Sequence, residues 1–287
     1  MDTRARMLQP APFLTVRVHE LGISPSVSGL CVGYELGAWR VTQFVDHLME
    51  WLPDFALTYS EIEGIHSGNM VALMRDAAKR IYASDKFQNR GEFGELFLHV
   101  AIRQVFGSLS AISKIFYKSA RNETVKGFDA VHVVDGPKGL ELWLGEAKFY
   151  NDIGRAISDV VEELHAHVER NYLRDEFLLI SGKIDEKWQH AKKLKTLLSG
   201  NTSLDEVFRS TCIPVLLTYD SECVASFKEC SEKYCEEFRN EIMQHYSSFS
   251  SKELPKNVTI HLFLFPLQAK SQLIAELDKK LKGWQNV

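Results

Sequence analysis

Leu144-Gly-Glu-Ala-Lys-Phe-Tyr150 places an acid and a base, Glu146 and Lys148, two residues apart at the end of an apolar run that starts at Leu140. A second such run, Phe128-Asp-Ala-Val-His-Val-Val134, precedes it, and both have the aliphatic, aromatic and β-branched composition of strands. Between them Asp135-Gly-Pro-Lys-Gly139 is dense in turn formers. A four-residue loop from Gly136 to Gly139 suits an antiparallel hairpin, and Pro137, with its fixed negative φ, disfavours a tighter type I′ turn. Centring the loop there pairs Asp135 with Leu140, Val133 with Leu142 and Val131 with Leu144, and carries Asp129 opposite Glu146. Side chains alternate across a strand, so one face reads Val131, Val133, Leu142, Leu144 and then Asp129, Glu146, Lys148. The other carries Phe128, Ala130, His132, Val134, Trp143, Ala147 and Phe149. A strand pair apolar on both faces belongs between helical layers, in an α/β domain.

Two carboxylates facing each other across adjacent strands repel, and burial sharpens the conflict. A divalent cation removes it. Mg²⁺ (or Mn²⁺) takes carboxylate oxygens, keeps several waters and shares phosphate ligands. With Asp129 and Glu146 as ligands and Lys148 stabilising the attacking oxygen or the developing negative charge, the chemistry in outline is phosphodiester hydrolysis. The competing structural reading is a salt-bridged strand end in which Lys148 neutralises Glu146.

The segment Gly91-Glu-Phe-Gly-Glu-Leu-Phe-Leu-His-Val-Ala-Ile-Arg-Gln-Val-Phe106 has helical periodicity. Phe93, Leu96, Phe97, Val100, Ala101 and Gln104 lie mainly on one side; Glu92, Glu95, His99 and Arg103 form a polar stripe whose simplest reading is solvation. After the motif, Asn151 or Asp152 is suited to cap a helix in which Ile153, Ile157, Val160, Val161, Leu164 and Val168 recur. A strand around Ala111 to Tyr117 and another at Thr211 to Thr218 complete an order of helix, strand, hairpin, helix, strand.

That order, with Asp129, Glu146 and Lys148, resembles the PD-(D/E)xK nucleases, although Phe128 stands where the name-giving proline would be. The resemblance implies a restriction-endonuclease-like α/β fold, a mixed sheet flanked by helices. It also implies another acid from the helix before the hairpin, Glu95 first and Glu92 second. Arg90-Gly-Glu-Phe-Gly-Glu-Leu96 together with Leu144-Gly-Glu-Ala-Lys-Phe-Tyr150 is similar, more narrowly, to the HamA family, nuclease subunits of the Hachiman anti-phage defence system. The similarity covers most of the chain. It implies DNA as substrate, the superfamily 2 helicase HamB as partner, and activity restrained until phage infection or DNA damage. A nuclease-derived scaffold that binds and regulates a helicase without cutting is the alternative.

The 287 residues suffice for one large domain or two modest ones. Residues 1–85 read as an N-terminal accessory region and 86–287 as the nuclease-like domain. In the first, Phe13 to Val18 and Gly29 to Leu36 suit strands, while Val41 to Leu48 and Asn69 to Tyr82 suit helices. Towards the C-terminus, strands are expected at Cys212 to Tyr219 and Val258 to Pro266, helices at Glu229 to Tyr246 and Lys270 to Trp284, and a loop at Ser247 to Ser251. No apolar run is long enough for a membrane span, and no signal-like segment opens the chain. Five cysteines without a Cys-x-x-Cys pair argue against a disulfide framework or zinc site and for a reduced, cytoplasmic protein. His165 and His167, two apart on a helix, diverge and do not suit a shared metal. A net charge of −4 excludes broad electrostatic attraction to DNA, leaving a local groove. Lys187, His190, Lys192, Lys193 and Lys195 are the densest basic cluster, read as a solvated helix, and Arg155 follows the motif closely. No phosphate-binding Gly-x-x-x-x-Gly-Lys-Ser/Thr loop supports a nucleotide switch.

Overall fold

In a computed structural model of the chain, which describes residues 9–81, 91–112, 127–136 and 139–287, the strands are β1 (Thr15–Glu20), β2 (Ser26–Cys31), β3 (Tyr34–Glu35), β4 (Ala38–Trp39), β5 (Leu109–Ile112), β6 (Ala130–Gly136), β7 (Gly139–Phe149), β8 (Thr211–Asp220) and β9 (Thr259–Leu267). The helices before the hairpin are α1 (Val41–Glu50), α2 (Leu52–Ala56), α3 (Tyr59–Glu63), α4 (Met70–Ile81) and α5 (Glu92–Phe106). Those after it are α6 (Ile153–His167), α7 (Arg170–Lys183), α8 (Ala191–Leu197), α9 (Leu204–Arg209), α10 (Glu222–Ser226), α11 (Glu232–Ser250) and α12 (Lys270–Gln285).

Seven strands form one mixed sheet in the order β1-β2-β9-β8-β7-β6-β5, and β3 and β4 pair separately. At its centre β2, β9, β8 and β7 run parallel, while β1, β6 and β5 are added antiparallel at the flanks. The middle strands β8 and β9 are buried residue after residue, as strands covered on both faces must be, and their sequences are accordingly almost unbroken apolar runs. Pro214 in β8 has no N–H to give. The β7–β8 ladder lapses there, between Trp143↔Cys212 and Glu146↔Val215, and resumes at Glu146.

The hairpin register is the one read from the alternation: Asp135 pairs with Leu140, Val133 with Leu142 and Val131 with Leu144. The loop is shorter than expected, because Gly136 and Gly139 are themselves partners and Gly139 takes φ +109°, which a glycine adopts without cost. Residues 137–138 between them lie outside the described residues. Likewise only Leu109–Ile112 of the strand expected at Ala111 to Tyr117 is described.

Helices cover the two faces unequally. Helix α5 approaches the strand bearing the motif so closely that a Cβ on Gly94 would stand 3.0 Å from Phe149 Cβ, and one on Gly145 would stand 2.7 Å from Leu98 Cδ2. Gly145, Ala147 and Phe149 therefore face α5, and the alternate residues Glu146 and Lys148 face the other side, where α6 lies. On the α5 side, Phe97 packs edge-on against Phe149 and Phe265, and Phe44 of α1 packs on Phe97 and Phe265.

Residues on both sides of the expected boundary share this sheet and core. Strand β2 pairs with β9, Ser26 opposite His261, and the Gln104 side chain of α5 accepts from the Phe13 and Leu14 N–H groups, both at 3.2 Å. Residue 85 itself falls within 82–90, outside the described residues. The serine run expected as a loop continues α11 to Ser250. Ser247 Oγ donates to Met243 O at 2.8 Å and Ser248 Oγ to Gln244 O at 3.1 Å, so the hydroxyls bond back within the helix while Phe249 is wholly buried. Among the described residues no helix is long and apolar enough to cross a membrane.

Candidate active site

The hairpin ends as a ladder one pair before its two acids. The final pair is Ala130↔Gly145, and Asp129 leaves the strand with its N–H still donating to Gly145 O at 2.7 Å. The Asp129 carboxylate turns inward, where its Oδ2 accepts from the Ala147 N–H at 2.9 Å. This side-chain bond continues the ladder and holds Asp129 beside the strand that bears Glu146 and Lys148.

Glu146 is 2 % exposed and Lys148 8 %, so both charges sit inside the fold and require partners. Helix α6 supplies them. Asp152 caps it, its Oδ1 accepting from the Arg155 N–H at 2.6 Å, and the apolar positions Ile157, Val160 and Leu164 turn it onto the sheet. This docking brings His167 Nδ1 to 2.7 Å from Glu146 Oε1 and ion-pairs Lys148 Nζ with Glu163 Oε2. Burial opposes the Lys148 charge, but Glu163, Glu146 and Asp129 together outweigh it, and the ammonium is held above the ordinary lysine range. Asp129 and Glu146 are thus each within electrostatic reach of Lys148. The simple strand-end salt bridge does not occur: among the described residues, Lys148 ion-pairs with Glu163 rather than with Glu146.

The His167 ring is sandwiched. It stacks on Tyr172 of α7 at 4.6 Å between centroids and meets Phe128 at 4.9 Å, one residue before Asp129. His165, two residues earlier, points elsewhere, its Nε2 lying 2.7 Å from Glu253 O, so the two histidines diverge as their spacing requires. Glu176 of α7, also buried, lies against Gly127, where an added Cβ would be 2.5 Å from Glu176 Oε1.

The polar stripe of α5 does not face water. Glu95, His99 and Arg103 are 8 %, 2 % and 3 % exposed. Arg103 Nε lies 2.8 Å and His99 Nε2 2.9 Å from Asp54 Oδ2, on α2. His99 Nδ1 lies 3.2 Å from His132 Nε2, and His132 Nδ1 lies 2.9 Å from Ser108 Oγ. Burial works against the Asp54 charge, yet Arg103 and His99 hold its carboxyl well below the usual range; burial keeps both histidines low. His99, His132 and Asp129 line one small cavity, and Glu95 stands one helical turn before His99 at the same end of the sheet. Glu92, at the start of α5, is half-buried.

Among the described residues no group of three or more His, Cys, Asp or Glu side chains is gathered to hold a metal ion. Mg²⁺ does not require one. It is commonly held by one or two carboxylates and completes its octahedron with water and phosphate oxygens. The carboxylates of Asp129 and Glu146, each near enough to act on Lys148, have that donor chemistry, and the Lys148 ammonium suits a phosphate.

Past the motif, cations flank Tyr150. The Arg155 guanidinium lies 5.1 Å from its ring centroid and Lys270 Nζ 6.0 Å, and Lys270 donates to Phe149 O at 2.5 Å. Tyr150 OH donates to Asp159 Oδ2 at 2.9 Å, and Arg155 is 3.6 Å from the same oxygen. The basic cluster lies away on α8 and its approach, with Lys187, Lys192 and Lys193 exposed and Lys195 ion-paired with Glu186.

Glu163 and His167, which pair with Lys148 and Glu146, are not singled out by the motif itself. The available signal was their spacing: four residues apart on the helix that follows the motif, they share a face. No curated protein matches the chain. The family model for HamA matches residues 11–281, nearly its whole length, and the chain therefore belongs to the HamA family, a component of Hachiman anti-phage defence.

Proposed function

We propose that the chain is a metal-dependent DNA nuclease of the PD-(D/E)xK type, acting in anti-phage defence with a helicase partner. Membership of the HamA family supports the defence role and the partner. The fold supports the nuclease type: α5, β5, the β6–β7 hairpin, α6 and β8 follow in the order of a restriction-endonuclease-like core, with β8 parallel to β7.

One observation carries the reading. The Asp129 side chain is bonded to the Ala147 N–H, between Glu146 and Lys148 in the strand, and the Lys148 ammonium pairs with Glu163 rather than neutralising Glu146. Asp129 and Glu146 would hold a divalent cation, with Glu95 from α5 assisting; when bound, it supplies Lewis-acid polarisation of the phosphate and eases ionisation of water. Lys148 places a positive charge where negative charge develops on the phosphate oxygens in the transition state. Asp129 lines the small cavity that it shares with the buried His99 and His132.

A non-cutting scaffold that regulates a helicase is the second reading, and it is compatible with there being no gathered cluster of three ligands among the described residues. Incubating the chain and its helicase partner with linear and circular DNA, in Mg²⁺ and in matched chelator, separates the two. Chelator-sensitive DNA loss that disappears in Asp129→Ala supports the nuclease; intact DNA under every condition supports the scaffold.

A further inference from the structure

Glu146 and Lys148 stand two apart on β7, about 6–7 Å along the strand, and Glu163 and His167 stand one turn apart on α6, about 5–6 Å. The spacings match and the charges cross: base meets acid and acid meets base. From this geometry we infer that α6 carries the second half of the motif, His167 positioning the Glu146 carboxylate and Glu163 positioning the Lys148 ammonium. The inference rests on the nuclease reading and extends it to two further residues.

The argument is electrostatic and steric. A lysine two residues from a glutamate on one strand face, with a second carboxylate nearby, is drawn onto those acids, and in a buried site the attraction is strong. An ammonium seated on Glu146 would occupy the oxygens that a cation needs. Glu163, with its side chain 43 % exposed at the rim, draws Lys148 Nζ the other way while keeping it charged. His167 completes the arrangement. His167 Nδ1 lies 2.7 Å from Oε1, and this close polar contact limits the orientations open to the Glu146 carboxylate. The ring cannot drift, because Tyr172 and Phe128 hold it on two sides, and Phe128 ties it to the backbone of Asp129. Outer partners of this kind orient ligating carboxylates and tune their affinity for a cation.

Calorimetric titration of the full chain with Mn²⁺ alone tests these roles apart from cleavage. His167→Ala is expected to weaken Mn²⁺ binding about 10- to 100-fold. His167→Asn, whose amide nitrogen falls near the place of Nδ1, is expected to recover most of the loss. Glu163→Gln is expected to weaken binding as Lys148 turns onto Glu146, and adding Lys148→Met to it to restore the affinity, a rescue that a purely structural role for Glu163 would not give. Should His167→Ala fail to fold, as near-ultraviolet circular dichroism would reveal, His167→Asn and the Glu163 variants carry the test. Wild-type affinity in His167→Ala and Glu163→Gln, beside loss of binding in Glu146→Ala, overturns the positioning roles and leaves the nuclease reading intact. No Mn²⁺ binding by the wild type overturns both.

Discussion

Removing the Asp54 carboxylate is expected to destabilise the whole molecule, although Asp54 lies far in sequence from every strand of the central sheet. The carboxylate is the only acid that the structure places against Arg103 among the described residues, at 2.8 Å from Nε, and it also meets His99 at 2.9 Å. The Arg103 side chain is 4 % exposed, so in Asp54→Ala its charge stays buried with its remaining bond to the Ser108 carbonyl and no counter-ion. Breaking a buried pair by deleting one partner costs about 3–5 kcal/mol, a large share of the roughly 5–15 kcal/mol that keeps a domain folded. Urea unfolding followed by tryptophan fluorescence measures it, and the transition is expected to shift as one step, because α2 and α5 share one core. Arg103→Met, combined with Asp54→Leu, tests the cause: the double variant should be more stable than Asp54→Ala, since no orphaned charge remains. A loss under about 1 kcal/mol in Asp54→Ala, or a separate early transition, would refute the claim that the N-terminal helices and the sheet form one cooperative unit.

Two further changes probe the packing beneath the site and the protonation of a buried histidine elsewhere in the sheet. Gly145→Ala puts a methyl 2.7 Å from Leu98 Cδ2 and 3.1 Å from Ala130 Cβ, and is expected to cost about 1–3 kcal/mol in chemical denaturation; a neutral result would mean that α5 is not seated as described. His261, buried on β9 between β2 and β8 with Ser26 Oγ at 2.7 Å and Ser28 Oγ at 3.0 Å, has its pKa depressed to about 3, by burial first and then by His19. A depressed histidine is neutral when folded and takes a proton on unfolding, so stability falls as pH drops below about 6.5 and goes on falling towards about 3. Between pH 7.5 and 5.0 this group should remove about 2 kcal/mol, and His261→Gln should flatten the slope by that amount; an unchanged slope would contradict its buried, neutral state.

How much could be read without coordinates depends on the range of the interaction. Hairpin register follows from local alternation and turn chemistry, and the pairs around Val131, Val133 and Leu142 came out as written in the chain. The same holds for the periodic helix from Ile153 and for β8 and β9, whose apolar runs suit the middle of a sheet. A polar stripe, by contrast, looks the same whether it faces water or another element. On sequence alone His99 and Arg103 therefore suit water, whereas in the fold α2 supplies Asp54 against them. The Ser247 run was read from composition, which does not register hydroxyls bonding back to the preceding turn. The pairing of β2 with β9 joins opposite ends of the chain, and no local pattern encodes it. Glu163 and His167 went unseen for a related reason: their role depends on how α6 docks over β7, which the motif's own spacing does not specify.

The most direct test of the central claim compares the wild type with the Glu146→Ala/Lys148→Ala double variant, each purified with its helicase partner and given linear DNA in Mg²⁺. Cleavage by the wild type and none by the double variant, with matching circular dichroism spectra, is the predicted result. Equal cutting by the two would contradict the assignment of this site as the place where DNA is hydrolysed.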